Sequence, residues 1–140
     1  MRHNAYFEIN LHISWHTKNS EPLLIGEIEE RVHQYLRHRI VKAGALCHAV
    51  GGIETHVHAA VSVPPALEIA RWIGELKGAS AHYINSEIAK RKALTWQTGY
   101  GVVSFGTRDL QWVVRYVLNQ KQHHARGSVH DRLERVFQEC

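Results

Sequence analysis

The sequence predicts an α+β fold: an antiparallel sheet with helices packed on one face, followed by one more helix near the C-terminus. Three observations carry this. An unbroken alternation of apolar and polar residues opens the chain, short apolar runs bounded by glycine or proline recur three times later, and stripes at helical spacing fill the intervals. The resulting order is β-α-β-β-α-β-α. Its first six elements match the split β-α-β, or ferredoxin-like, arrangement.

Each element has its own signal. Phe7, Ile9, Leu11, Ile13 and Trp15 point one way, and Glu8, Asn10, His12 and Ser14 the other, which predicts a strand with one buried face. Ser20 is placed to cap a helix, with Glu21 and Pro22 in its first turn and Ile25, Ile28, Val32, Tyr35, Leu36 and Ile40 as its stripe. Gly44 ends it. Residues Ala45 to Val50 predict a second strand, Gly51-Gly52 with Glu54-Thr55 a turn or bulge, and His56 to Val63 a third strand stopped by Pro64-Pro65. A long stripe from Ile69 through Trp72, Ile73, Leu76, Ser80, Tyr83 and Ile84 to Ile88 predicts the second helix. Tyr100 to Phe105 predicts a fourth strand. Thr107 caps a last helix, buried along Leu110, Val113, Val114, Val117 and Leu118, and Ser128 to Cys140 reads as one short helix.

Composition narrows the function classes. With 140 residues the chain predicts a single domain, 1–140, and neither a repeat nor a linker interrupts it. Hydrophobic residues make up 44% and charged residues 21%, which excludes disorder as an overall description. The longest apolar run falls short of a membrane span, and Met1 to Ala5 lack the apolar stretch of a signal peptide, so a cytoplasmic protein without a membrane partner is expected. A net charge of +4 and a pI near 9.3 are compatible with a polyanionic partner. Cys47 and Cys140 are too few for a disulfide framework. The 12 histidines are the unusual count, because imidazole is the commonest metal ligand and general base near neutral pH.

Two histidine-bearing segments stand out. His56 and His58 flank Val57 on a strand, so they share a face and stand roughly 6–7 Å apart along it. Two imidazoles at that spacing can lean together onto one ion. The plain alternative is a pair of polar residues on a solvated strand face. On the last helix, Tyr116 and Gln120 are four residues apart and therefore stacked at the edge of the apolar stripe, with His123 near the same side. A phenol there can act as a nucleophile and an amide oxygen can ligate a metal. The plain alternative is a packing tyrosine and a solvated helix end.

Taken together, these segments resemble the HUH-type single-tyrosine transposases, including the REP-associated tyrosine transposases of bacteria. Four stretches carry the resemblance: the opening strand from Tyr6 to Lys18, the segment Thr55-His56-Val57-His58 running to Pro65, the stretch Trp96 to Phe105, and Val114-Arg115-Tyr116-Val117-Leu118-Asn119-Gln120 to His124. The resemblance implies that His56, His58 and Gln120 hold a divalent metal, Mg²⁺ or Mn²⁺, and that Tyr116 is the catalytic nucleophile on a C-terminal catalytic helix. It implies cleavage and rejoining of single-stranded DNA at hairpin ends through a covalent 5′-phosphotyrosine, usually in a homodimer with a composite site. The sequence leaves open whether Tyr116 acts on its own chain's histidines or a partner's. Thr55 stands where relatives often carry an acid, a departure that touches the support of His56 rather than the ligands. Arg115 and Lys121 are candidate phosphate contacts, and Trp96 and Tyr100 candidate stacking residues. Two other readings compete: a domesticated module that binds hairpin DNA or RNA without strand transfer, and a metal-dependent hydrolase using His56, His58 and water.

Overall fold

The computed structural model describes residues 4–136. Four strands form one antiparallel sheet in the order β2-β3-β1-β4: β1 is Asn10–His16, β2 Leu46–Ile53, β3 His56–Ser62 and β4 Gly101–Phe105. The helices are α1 Gly26–Lys42, α2 Ile69–Tyr83, α3 Leu110–Leu118, α4 Gln120–Arg126 and α5 Asp131–Glu134. Because β1 and β3 are the central strands, both of their faces are covered. Strand alternation sends Leu11, Ile13, Trp15, Val57, Ala59 and Val61 to one face, where they meet Val32, Leu36 and Ile40 of α1 and Trp72, Ile73 and Leu76 of α2. Burying each large apolar side chain there contributes about 1.5–3 kcal/mol relative to leaving it in water.

Helices α1 and α2 take the one face, as expected, but α3 lies across the opposite face. Its Val113 and Val117 pack on Ala49 of β2 and Ala60 of β3. Small residues at those two positions let a helix sit close. The approach is closest at Gly51, where a Cβ would stand 2.2 Å from the Val117 carbonyl oxygen. Gly51 and Gly52 therefore belong to β2, and the turn falls at Glu54–Thr55 instead.

Other boundaries move for local reasons. The first strand starts at Asn10 rather than Phe7, where pairing with Ser62 and Phe105 begins, and Tyr6 is 85% exposed. Ser20 caps no α-helix. Residues Lys18–Ser20 make a single 3₁₀ turn, with Asn19 and Ser20 at positive φ, and the chain is tied to its neighbours by Lys18 N–H to Thr95 C=O and Leu24 N–H to Glu54 C=O. The helix begins only at Gly26. The long second helix stops at Tyr83 and loosens into a π-turn, Ile84–Ile88, where the Asn85 side chain accepts from the Ala93 and Leu94 N–H groups and donates to the Leu94 carbonyl. The last predicted helix is broken at Asn119 (φ −107°, ψ 27°) into α3 and α4. Of the predicted terminal helix, only Asp131–Glu134 is helical among the described residues, and Cys140 lies outside them. No helix among the described residues is long and apolar enough to cross a membrane.

Candidate functional site

The polar side of the central strands builds the site. Antiparallel register sets Ser14 against His58 and His16 against His56, so the residues that alternate away from the core on β1 share a face with the histidine pair. His56 and His58 are 3% and 0% exposed, which removes the solvated-strand reading. Their ring centroids are 4.9 Å apart.

Each ring is held by one nitrogen and offers the other. The His58 Nδ1 is 2.7 Å from Nε2 of buried His12, and the His56 Nδ1 is 3.0 Å from the Thr55 hydroxyl. Thr55 therefore supplies the orienting contact at the position where the family pattern departs. If His58 donates its Nδ1–H to His12, its Nε2 carries a lone pair. That Nε2 is buried and makes no hydrogen bond among the described residues. Burial, reinforced by the neighbouring histidines, pushes His12 and His56 down to about 3, so both rings stay neutral at ordinary pH.

Around the free nitrogens further donors converge. His56 Nε2 lies 3.1 Å from His124 Nε2, which lies 3.1 Å from Gln120 Oε1. Glu134 Oε1 stands 3.3 Å from His58 Nε2, 3.5 Å from His124 Nε2 and 3.6 Å from His56 Nε2. One ligand atom from each of His56, His58, His124 and Glu134 falls within 4.8 Å of the others. Donor atoms bound to one ion at about 2.0–2.2 Å stand about 3 Å apart, so these spacings fit a shared divalent cation. An orphaned buried nitrogen at the centre fits it as well.

Tyr116 reaches the same place from α3. It is only 3% exposed, and its hydroxyl donates to Glu134 Oε2 and accepts the His130 N–H at 2.8 Å. Burial foremost, then the bond to the Glu134 carboxylate, pushes the phenol up to about 12. Burial acts to raise the Glu134 carboxyl, but contacts with His58, the Tyr116 hydroxyl and His56 outweigh it and hold it at about 2. The phenol is thus a proton donor to an ionised carboxylate. Gln120 is fully buried. Its amide N–H donates to the Tyr116 carbonyl, which fixes Oε1 toward His124. The break at Asn119 aims α4, and with it Gln120 and His124, into the cluster.

His56, His58, Tyr116 and Gln120 therefore come together within one chain. His12, His124 and Glu134 belong with them and were not singled out by sequence. His12 had a usable signal, the polar face of a strand bound to be central. The other predicted contacts separate. Arg115 is exposed and makes no ion pair among the described residues, whereas Lys121 is paired with Glu29 at 2.7 Å. Trp96 packs edge-on against Trp15 and donates its N–H to Ser80, so it serves the core. Tyr100 also packs on the core and borders an open cavity of about 500 Å³ along β4.

The IS200-like transposase family model matches residues 5–120. The chain belongs to the IS200-like transposase family. Among solved structures, a Deinococcus radiodurans R1 protein assigned as a transposase is 22% identical, with a TM-score of 0.68 over 86% of this chain and 96% of that one. A REP-associated tyrosine transposase bound to a REP hairpin is 14% identical, with a TM-score of 0.63 over 92% of this chain and 75% of that one. These likenesses establish the fold. No curated protein matches the chain. The family match covers Tyr116 and Gln120 and stops there, so in this IS200-like transposase His124 and Glu134 lie beyond it.

Proposed function

We propose that this transposase cleaves and rejoins single-stranded DNA at hairpin ends through a 5′-phosphotyrosine formed on Tyr116. The observation that carries the reading is that, in one chain, a buried tyrosine hydroxyl bonds Glu134 beside His56, His58 and His124, four side chains able to ligate a metal whose ligand atoms lie within 4.8 Å of one another. His56, His58 and Gln120 would hold Mg²⁺ or Mn²⁺, with His124 beside them. Such an ion, when bound, neutralises phosphodiester charge and holds the phosphate for attack. Hairpin recognition is carried over from the solved relative bound to a REP hairpin.

In the reaction the Tyr116 oxygen bonds to phosphorus, the bond from phosphorus to the 3′ oxygen breaks, and the phenolic proton leaves as the 3′ oxygen gains one. Phenol has a reference pKa near 10, so a phenolate is a better leaving group than an alkoxide and rejoining is accessible. A free 3′-hydroxyl attacking the phosphotyrosine reverses the step without an energy source. With the phenol at about 12 and Glu134 at about 2, the proton stays on the tyrosine in the state described. Glu134 spans from the Tyr116 hydroxyl to the histidine nitrogens, the span a scissile phosphate must occupy. Its carboxylate therefore has to give way before attack.

The Tyr116 hydroxyl lies beside its own chain's histidines, which supports attack within one chain. A homodimer remains the assembly to test by light scattering. The experiment for the function is adduct formation: protein, single-stranded oligonucleotides tiled across hairpin ends, and Mg²⁺ or Mn²⁺. A covalent band lost with chelator and in Tyr116→Phe is expected. Hairpin binding without any adduct would favour the domesticated binding module, and turnover surviving Tyr116→Phe the hydrolase.

A further inference from the structure

Tyr116 is the middle ring of a three-ring stack on the helix face. Trp112 lies 5.7 Å away at 16°, and His123 4.7 Å away at 29°. The stack fixes the phenol plane while leaving its hydroxyl pointed at the cluster. The outer ring is unlike the other tryptophans: Trp15 and Trp72 are buried, Trp96 is spent on core packing, and Trp112 is 44% exposed. One exposed indole is unremarkable by itself. This one borders a cavity of about 280 Å³ shared with Tyr116, Arg115, Asn119, Val129 and His130. The lining pairs apolar surface (Trp112, Val129) with a cation that makes no ion pair among the described residues (Arg115) and an amide (Asn119). That combination suits a flat heteroaromatic ring joined to a phosphate: the ring stacks, the guanidinium meets the phosphate and the amide meets the base edge.

We propose that Trp112 is a stacking site for the unpaired DNA base next to the scissile phosphate, with Arg115 on the adjoining phosphate. The inference rests on the single-stranded DNA reading above. The 5′-phosphate linked to Tyr116 Oη tethers the first nucleotide of the retained strand beside the rings that flank Tyr116. Stacking there holds that nucleotide while the free 3′-hydroxyl exchanges, so the site serves rejoining as well as cleavage. A face that accepts any base by its π surface is sequence-tolerant.

The test uses the whole protein with chelator present, so that no covalent step intervenes. A single-stranded oligonucleotide is titrated in while tryptophan emission is followed, with the matching duplex as control. Exposed Trp112 dominates the red edge of the emission, and the single strand is expected to quench it while the duplex does not. Trp112→Leu keeps apolar bulk without a π face, and is expected to bind the single strand roughly 5- to 150-fold more weakly, with Trp112→Phe restoring most of the affinity. Binding with unchanged red-edge emission, or Trp112→Leu binding like the native protein, overturns the stacking site while leaving the proposed function intact. Failure to bind single strands at all overturns both.

Discussion

Gly51→Ala puts the geometry of the site to a quantitative test. The added Cβ would stand 2.2 Å from the Val117 carbonyl oxygen and 3.1 Å from its carbon. A tolerable contact needs about 3.2 Å, so α3 must lift by about 1 Å from the sheet or β2 must sink. Overpacking of this kind costs about 1–3 kcal/mol. For a chain of this length that lowers the melting temperature by roughly 3–10 °C. Val117 adjoins Tyr116 and lies three residues before Gln120, and a 1 Å misplacement of reacting groups can cost about 10²-fold in rate. Thermal melts by circular dichroism and the initial rate of covalent adduct formation measure the two effects. Gly74→Ala is the control: Gly74 is an exposed interior position of α2 with open space around it, and alanine there should stabilise by about 0.4–1 kcal/mol without touching the rate. A Gly51→Ala protein with native rate and stability would refute the claim that the close approach of α3 sets the nucleophile.

Three further outcomes are expected. His12→Ala leaves the His58 Nδ1 without its partner, and metal affinity by calorimetry should fall about 10- to 100-fold while the fold persists; unchanged affinity would show that the second histidine does not orient the first. In metal-free protein, His12 and His56 titrate near 3 when folded against 6.5 when unfolded. The unfolded chain therefore binds more protons between those values, and stability should be full above about pH 6.5 and decline toward pH 3, by up to about 1.4 kcal/mol per pH unit for each ring; a flat urea midpoint across that window would contradict it. Glu134→Ala removes a charged hydrogen bond of about 1.5–3 kcal/mol from Tyr116, so ultraviolet titration should find the phenol below its raised value of about 12 and adduct formation should start about tenfold faster; slower adduct formation would place Glu134 among the required ligands instead.

Which parts of this were legible follows from how local each signal is. The alternation around Ile13 and Trp15 needs only the two-residue period of a strand, and the same period puts His56 and His58 opposite Val57 and Ala59, as observed. Tyr116 and Gln120 needed only the helical i, i+4 relation. His12 was visible as a residue on the polar face of β1, but its contact with His58 depends on the register between two strands separated by a helix and a third strand. His124 depended on a backbone break at Asn119 that no proline or glycine announces. Glu134 depended on a terminal segment folding back over β4, a path open only because Gly101 carries no Cβ, which would stand 1.8 Å from the Arg135 carbonyl oxygen. The helix stop signals failed where side chains outcompeted them, as Asn85 does after α2. Ser20 had a capping side chain but no α-helix, because Lys18–Ser20 close a 3₁₀ turn anchored by the Lys18 bond to Thr95, and Leu24 beyond it is held by Glu54.

In the proposed mechanism Tyr116 becomes covalently joined to DNA beside a metal held by His56, His58 and Gln120. Mass spectrometry of peptides after incubation with a hairpin-tailed single strand and Mn²⁺ tests it most directly. A nucleotide adduct is expected on the peptide containing Tyr116, absent with chelator and in His58→Ala. A cleaved strand with no adduct, or an adduct on another residue, would contradict it.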